Sequence, residues 1–584
     1  MSKKKQSALD IELMKENSEK KNFPNKKSKI KPAKPSPVKW VWLAAILVFT
    51  WFSFSPSMEN KWTNWDDPVY VLENPLVTNP NTPLNEIIKT PVSLNYHPLT
   101  ILSLKWNYDK VKAEPYAYHL TNVFLHLFNT ALVFFFLLLL SDSLVIAVFA
   151  SALFGIHPMH VESVTWIAER KDVLYVFFFL LGLISYLKYL DGKKIFWLVI
   201  TFLGFVLSCA SKAMAVVFPI VLLLIDYLKE REWNFRIITE KIIFFLFSLY
   251  IGFEAYQIQS TDAIAKANTF TILQRVCFAS YGAWFYVVKF FAPVQLSAFY
   301  PYPLSPDGVS LTPEYYIAPI GLLAAFGILI ILLKKNRVIV FGLSFYFVSV
   351  ALVLQFISVG SAIAADRYSY LSYIGLVFLL GWVLNLFFKE GKKLFQFRFA
   401  AAALAGIICF TLSYQTYQRT QVWKNSETLW TDVIEKYPHR IEVAYKNRGN
   451  YYGREANKFN EALADYKVLL AMQTKDSKVY SNLGNIYGLM KKGDSAIWAY
   501  NKALELDANN EDGYMNRGIT YSMAGMNDKA VQDFTNYIRL QPNNATGYYY
   551  RGIAYVSIGN SSAGKADIIQ ARNLGYNVDP KYLK

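Results

Sequence analysis

Trp40–Phe54 reads "WVWLAAILVFTWFSF", and a few residues later Thr63–Tyr70 reads "TNWDDPVY". The first run is about long enough to cross a bilayer. The second places two adjacent carboxylates, framed by tryptophan and proline, where the chain leaves the lipid. Apolar runs of this kind recur: "FLHLFNTALVFFFLLLL", "LVIAVFASALFGI", "YVFFFLLGLISYL", "FPIVLLLIDYL", "IIFFLFSLYIGF" and "GLLAAFGILIILL" each approach the roughly 20 apolar residues of a membrane span. About twelve such segments lie between Trp40 and about Gln415. The chain is 54% hydrophobic and only 18% charged; because the apolar residues come in blocks, this is the composition of a polytopic membrane protein.

The net charge of +17 would point to nucleic acid in a soluble protein. Here the excess sits in the first 39 residues and in short loops between apolar runs, which is the positive-inside pattern. The lysine-rich start is too long and polar for a signal peptide and no clear cleavage site follows, so Trp40–Ser55 is expected to be a retained first helix. Residues 1–38 are expected to form a solvated, disordered cytoplasmic tail. Cys209, Cys277 and Cys409 lie in or beside apolar runs without metal or redox spacing and read as packing residues.

Beyond the apolar region the pattern changes. Aligning "YKNRGNYY", "YSNLGNIY", "YMNRGITY" and "YYYRGIAY" puts Gly449, Gly484, Gly518 and Gly552 in register, at spacings of 35, 34 and 34 residues. That is the tetratricopeptide period. Tyr445, Tyr480, Tyr514 and Tyr548 keep phase with it, as do Tyr452, Tyr487, Tyr521 and Tyr555. Ala462, Ala496, Ala530 and Gly564 fall where paired helices cross. Four stacked helix pairs make one solenoid with a concave face, and Ser426–Pro438, "SETLWTDVIEKYP", is expected to cap it. The expected fold class is therefore all-α: a basic tail (1–38), a helical membrane domain (39–418) of about eleven or twelve segments, and a solenoid (419–584). The aligned Tyr and Gly read as packing positions and do not disclose a ligand.

With the N-terminus in the cytoplasm, Asp66 and Asp67 lie outside and "DGKK", "KEREWNFR", "KKNR" and "KEGKK" are cytoplasmic. This assignment meets a parity conflict between Arg231 and Lys334. Making 272–291 re-entrant or interfacial resolves it and leaves about eleven crossings and an external solenoid.

Polar clusters then gather outside. The first loop carries the two aspartates and "YHPLTILSLKWNYD", expected as a helix on the membrane surface. After the third span comes "GIHPMHVESVTWIAERKD", with His157, His160, Glu162, Glu169, Arg170, Lys171 and Asp172. Lys212 follows the fifth span, and Asp366 and Arg367 stand before "YSYLS". Ionisable groups at membrane depth are costly and mark function by default. Plainer readings stand beside that one: Asp-Asp-Pro as a turn, and Glu169–Asp172 as a solvated interfacial anchor. His157-x-x-His160 with Glu162 is not a known zinc spacing. Acids and bases together beside lipid suit glycosyl transfer from a polyprenyl phosphate sugar. A carboxylate, Asp66 or Asp67, would take the proton of an acceptor hydroxyl, and cations would stabilise the departing phosphate. Arg170, Lys212 and Arg367 are the candidates for the second role.

The sequence resembles the transmembrane and TPR repeat-containing O-mannosyltransferases and their bacterial relatives, within the GT-C superfamily of membrane glycosyltransferases. The likeness rests on "WDD", "HPLTILSLKWNY", "YHLTNVFLHLFN", "FGIHPMHVESVTWIAERKDVL", "SKAMAVVFPIVLLLID", "PVQLSAFYPYP" and "ADRYSYLSYIGL", in this order and before the repeats. The resemblance implies a polyprenyl-phosphate donor, with mannose the leading sugar, and inverting transfer to a hydroxyl, often Ser or Thr of a protein. It assigns the acidic pair to Asp66 and Asp67 and places Arg367 in an acid-Arg-Tyr motif. His97 stands where the family often has Arg, and a neutral His contacts phosphate less strongly. His97 and Glu162 join Arg170, Lys212 and Arg367 as the expected substrate and phosphate contacts. No cofactor is implied; a divalent metal is left open, as a separated acidic triplet of the D-x-D type is absent. The solenoid is expected to engage a protein acceptor, and composition fits a bacterial inner membrane. Two other readings keep a place: the same donor chemistry on an envelope glycan or lipid, and a non-enzymatic scaffold whose repeats recruit partners.

Overall fold

The computed structural model describes residues 37–260, 270–303, 310–356 and 362–579; the expected tail, 1–36, lies outside them. The chain divides into a small unit, Met1–Ala44, and a large one, Ala45–Lys584. The first helix, α1 (Val38–Phe54), starts in the small unit and ends in the large one. The membrane-domain helices continue as α2 (Pro98–Val111), α3 (Pro115–Ser141), α4 (Leu144–Ile156), α5 (Val161–Thr165), α6 (Arg170–Gly192), α7 (Ile195–Ser211) and α8 (Phe218–Leu228). They are followed by α9 (Phe235–Ser260), α10 (Ile272–Phe291), α11 (Ala318–Leu332), α12 (Arg337–Val350), α13 (Ser369–Phe387) and α14 (Arg398–Val422). Among the described residues the only sheet pairs β1 (Tyr300–Pro301) antiparallel with β2 (Ala362–Ala364).

Five helices are long and apolar enough to cross a membrane by length and composition: Val38–Glu59, Pro115–Ser141, Ile167–Gly192, Asp366–Phe387 and Lys393–Val422. A sixth is the pair Leu144–Ile156 and Pro158–Thr165, bent by 54°. Four shorter apolar helices, within 195–228 and 318–353, accompany them. This is a multi-pass membrane protein. The segment 272–291, expected to be re-entrant or interfacial, is one unbroken helix, α10, opened by a Thr271–Gln274 capping box, and it is not among the helices long and apolar enough to cross. The interruption falls instead at His157–Pro158, where the residue before proline is driven out of helical conformation.

That bend turns the loop 155–172 inward, and every residue of it is buried. α3 receives it on a polar stripe spaced as one helix face: His119, Asn122, His126 and Asn129. Asn122 donates to the Trp166 carbonyl (3.3 Å) and Asn129 to that of Val173 (2.8 Å), while His126 bridges the Tyr370 hydroxyl and the Gly155 carbonyl. Gly155 is needed for the approach: a Cβ there would stand 2.4 Å from Thr50 Oγ1. Asn122, His126 and Asn129 thus satisfy backbone carbonyls of the buried loop.

The last membrane helix runs past the expected boundary at 418, to Val422. After Trp423–Asn425 the cap helix α15 (Ser426–Lys436) begins with an Asn425–Thr428 capping box. The four repeats are α16 (Glu442–Arg454) with α17 (Phe459–Ala471), α18 (Ser477–Leu489) with α19 (Gly493–Leu506), α20 (Glu511–Met523) with α21 (Asn527–Leu540), and α22 (Ala545–Ser557) with α23 (Ser561–Asn573). The periodic glycines have a steric reason. Added Cβ atoms at Gly484, Gly518 and Gly552 would meet Tyr500, Phe534 and Ile568 of the partner helix at 2.5–2.7 Å. Asp476, Asn510 and Asn544 cap the first helices of the last three repeats.

Beside three of the four glycines stands an arginine. Arg448 grips Asp465, Arg517 grips Asp533 and Arg551 grips Asp567, each through Nε and Nη2 at 2.7–2.9 Å. Each also reaches back with Nη1 to the preceding helix, at Thr431, Asn501 and Thr535. The aligned tyrosines flank these guanidiniums, Tyr514 and Tyr521 lying 5.8 and 5.9 Å from Arg517. In the second repeat the equivalent positions are Leu483 and Ala499, so both ends of the pair are exchanged for apolar residues together.

Candidate active site

The residues of "TNWDDPVY" divide their work one by one. Thr63 donates from N and Oγ1 to Asp67 Oδ2, at 2.9 and 2.8 Å, and Asp67 Oδ1 accepts from the Ala168 amide at 3.0 Å. Asp67 is buried and ties the first loop to the inward loop. Burial pushes its carboxyl up to about 6, against the pull of those three donors. Asn64 reaches the solenoid: its N donates to Ser426 Oγ (2.9 Å), its Nδ2 to the Asn447 carbonyl (2.7 Å), and its Oδ1 accepts from Trp430 Nε1 (3.0 Å). Trp65 stacks on Trp166 with centroids 4.4 Å apart and leans on Trp430 at 5.0 Å. Of the two carboxylates, only Asp66 lines an open space.

That space is a cavity of about 380 Å³ whose ionisable lining is Asp66, Glu169, Lys171, Lys212 and Arg367, with Tyr70 and Tyr368 beside them. Burial raises the Asp66 carboxyl above its ordinary value, opposed by the Lys171 ammonium. Glu169 is the hub of the cations, with Lys171 Nζ at 3.0 Å, Arg367 Nε at 3.3 Å and Lys212 Nζ at 3.8 Å. Lys212 also pairs with Asp172, which accepts from Ser163 at 3.1 Å. Lys171 sits over the Tyr70 ring, 4.5 Å from its centroid. The anchor reading of Glu169–Asp172 gives way here: these side chains are inside the protein, with Glu169, Lys171 and Asp172 ion-paired and Arg170 hydrogen-bonded to neutral oxygens.

The expected contacts separate accordingly. Asp66, Lys212 and Arg367 line the cavity. His97 lines a narrower recess that shares Lys171 and Lys212 with it; its ring stacks on Tyr70 at 5.2 Å and its Nε2 has no hydrogen-bond partner. Burial and the Lys171 charge push His97 down to about 3, so its imidazole is neutral. Glu162 stands behind Arg367, pairing with its guanidinium and accepting its backbone N–H at 3.0 Å. Arg170 does not line the cavity. It is spent on Asn122 Oδ1 (2.8 Å), Asn107 Oδ1 and the Ser103 and Tyr118 carbonyls. Its neighbour Lys171 stands in the cavity wall instead, a place that "ERKD" alone could not assign, since the two differ only in helical phase. His157 and His160 bind backbone carbonyls of Phe290 and Phe154, and among the described residues no group of three His, Cys, Asp or Glu is placed to hold a metal ion.

An all-helical multi-pass membrane protein, a buried ionic cavity at one end of its helices and a tetratricopeptide solenoid bonded to the loop that carries Asp66 define the class. Within it, this chain is similar to proteins named protein O-mannosyl-transferases. It is 27% identical over 414 residues to protein O-mannosyl-transferase F38B6.6 of Caenorhabditis elegans, over 67% of this chain and 57% of that one. It is 24% identical to protein O-mannosyl-transferase Tmtc3 of Drosophila melanogaster, over 73% of this chain and 54% of that one. Human TMTC3 matches at 32% identity over 25% of this chain and 17% of its own length. The chain thus spans about half the length of the first two relatives. The tetratricopeptide repeat family model matches residues 499–532. Among solved structures the chain is similar to YrrB, a TPR protein, at 18% identity over 30% of this chain and 84% of that one, with a TM-score of 0.24.

Proposed function

We propose that this protein is a GT-C-type glycosyltransferase that moves a monosaccharide, mannose in the leading form, from a polyprenyl-phosphate donor to a Ser or Thr hydroxyl of a protein. The observation that carries the reading is the placement of Asp66: beside Glu169, which is ion-paired to Lys171, Lys212 and Arg367, it is the second carboxylate opening on the cavity that those cations line. Asp66 takes the proton of the acceptor hydroxyl as its oxygen attacks the anomeric carbon. The bond from that carbon to the phosphate oxygen breaks, the phosphate leaves on its lipid, and the three cations meet its charge. Glu169 and Glu162 hold those cations in position, and His97, neutral with a free Nε2, contacts the substrate as a hydrogen-bonding group. Asp67 fixes the loop from behind. The relatives named as protein O-mannosyl-transferases support the sugar and the protein acceptor. The hydrogen bonds of Asn64 and the ring contact of Trp65 with the solenoid's cap helix and first repeat support its presenting that acceptor on the side of the cavity, and the positive-inside pattern supports a position outside the cytoplasm.

The test is transfer in vitro, with purified protein, radiolabelled polyprenyl phosphate mannose and a membrane-protein extract. Label entering protein, and lost in Asp66→Asn, is the expected result. Label entering glycan or lipid would move the acceptor. No transfer by folded protein from any lipid-linked sugar would leave the scaffold reading. The gathering of Asp66, Lys171, Lys212 and Arg367 in one cavity, where a scaffold would have left them dispersed, favours the enzyme.

A further inference from the structure

In the first two repeats a tyrosine of the second helix holds an asparagine of the first. Tyr466 donates to Asn450 Oδ1, and Tyr500 to Asn485 Oδ1 at 2.8 Å. At the same two positions the third repeat has Phe534 and Ile519, which belong to one apolar cluster, and the fourth has Ile568 and Ile553. The hydroxyl is present where there is an amide to hold and absent where there is none. Packing alone does not require the polar pair, since two repeats close without it.

A third amide joins these two. Asn482 stands one turn before Asn485, and its Oδ1 accepts from Arg454 Nη2 of the preceding repeat at 2.8 Å. Arg454 is one turn after Asn450, so this bond sets the three amides along one face. Successive first helices touch, α16 with α18 and α18 with α20, which makes that face the inner curve of the solenoid. Each amide has given its oxygen to the protein. Among the described residues none accepts from the three Nδ2 groups, and none of these nitrogens is sealed from solvent. What remains is a row of neutral donors without acceptors.

Such a row selects its partner by chemistry. A sugar hydroxyl carries a proton of its own that would go unmet. A carboxylate calls for a cation, whereas Lys446, one turn before Asn450, is paired with Asp476 at 2.7 Å. A peptide carbonyl is neutral and only accepts. The spacing agrees: packed helices stand about 8–10 Å apart, and an extended chain of the polyproline II form turns a carbonyl the same way about every 9 Å, three residues on. The row also adjoins the candidate active site, because Asn447, one turn before Asn450, accepts through its carbonyl from Asn64, two residues before Asp66.

We propose that the inner face of the first two repeats binds an extended polypeptide segment by its main-chain carbonyls, with Asn450, Asn482 and Asn485 as donors and Tyr466, Tyr500 and Arg454 orienting them. Contact with the main chain leaves the side-chain sequence free, and a serine or threonine farther along the segment is brought toward Asp66. This inference rests on the proposed protein acceptor for its purpose, though not for the binding itself.

The experiment uses the full chain in nanodiscs, without sugar donor, and a fluorescein-labelled, C-terminally amidated peptide of mixed Ala, Gln, Ser and Thr, read by anisotropy. The wild type is expected to bind this peptide, a scrambled sequence, a version with Ala at every Ser and Thr, and the free-acid form equally. The paired changes Tyr466→Phe with Asn450→Ile, and Tyr500→Phe with Asn485→Ile, copy the third repeat, so each should keep the melting temperature. Each should weaken binding by about two- to tenfold. Absence of binding, loss on scrambling, dependence on a free C-terminal carboxylate, or binding unchanged in both pairs would overturn the proposal. Binding that needs these amides, with no transfer from any lipid-linked sugar, would keep it and remove the enzyme reading. Transfer to protein with peptide binding indifferent to the amides would do the reverse.

Discussion

Asp66 turns its carboxylate to the cavity, while Asp67, one residue on, accepts three hydrogen bonds from the protein. Asp66→Asn should therefore lose about 10²–10⁴-fold in turnover with its melting temperature kept, and transfer should rise with pH above the ordinary carboxylate range, since the base must be ionised and burial raises its proton affinity. Asp67→Asn should cost about 1–3 kcal/mol of stability, because an amide nitrogen would face donors that now meet a carboxylate. The pH dependence separates them further. With Asp67 raised to about 6, the native state binds the extra proton between about 4 and 6, so stability falls as pH rises through that window. Melting curves of Asp67→Asn should lack that slope. A smaller prediction concerns the repeat turns, where Asn457, Lys491, Gly525 and Gly559 all have positive φ, of 54°, 59°, 74° and 84°. Lys491 is the misfit, and Lys491→Gly should stabilise by about 0.5–1 kcal/mol in chemical denaturation. The sequence shows two carboxylates together at a membrane exit; Asp67 is turned from the cavity by Thr63 and by the amide of Ala168, and the second of these, distant in sequence, could not be read locally.

Among the elements, the repeats were legible almost to the residue, because a 34-residue period repeats its steric demands: a glycine under a large side chain of the partner helix, and a capping Asp or Asn before the first helix of the last three repeats. What the period did not disclose is the arginine–aspartate clamp, since its absence from the second repeat breaks the pattern. Arg517→Leu alone should destabilise by about 3 kcal/mol, leaving Asp533 buried and uncompensated. Adding Asp533→Ala, which copies Leu483 and Ala499, should restore most of that loss, and a double-mutant cycle in denaturant measures it. The inward loop was the harder element. Its residues "VESVTWIAERKD" carry enough charge to read as a solvated loop; they are buried because α3 offers amides and imidazoles at a helical spacing, and because Gly155 permits close approach. Trp65 joins that loop to the cap helix, and Trp65→Ala should cost roughly 2–3 kcal/mol, below the usual cost for a wholly buried ring because this one is half-buried. Hydrogen exchange should rise in α15 and in 160–168 together.

At the scale of the whole chain, the order of tail, membrane helices and repeats follows from hydropathy and period, whereas the crossing count does not, because helices such as α7 and α8 are short and one span is broken at a proline. The solenoid's first turns and its later ones should have separable roles. Ending the chain after Thr474 keeps Ser426, Trp430 and Asn447 against the first loop, so transfer to a short Ser-containing peptide should survive while transfer to whole protein acceptors falls. Ending it at Val422 removes those contacts, and both should fail. Measuring the two acceptors with the two truncations checks this. α14 has one more consequence. It is a single unbroken helix from Arg398 to Val422, and its C-terminal end is joined to α15 through Arg419 and Asp432, while Asn60 bonds the Thr420 carbonyl at 3.1 Å and Lys61 that of Lys424 at 2.8 Å. Torque on the solenoid cannot be absorbed by a slack hinge; it is handed to the helix and to the strand of chain six residues before Asp66. A partner that pulls on the repeats therefore pulls on the loop that carries Asp66.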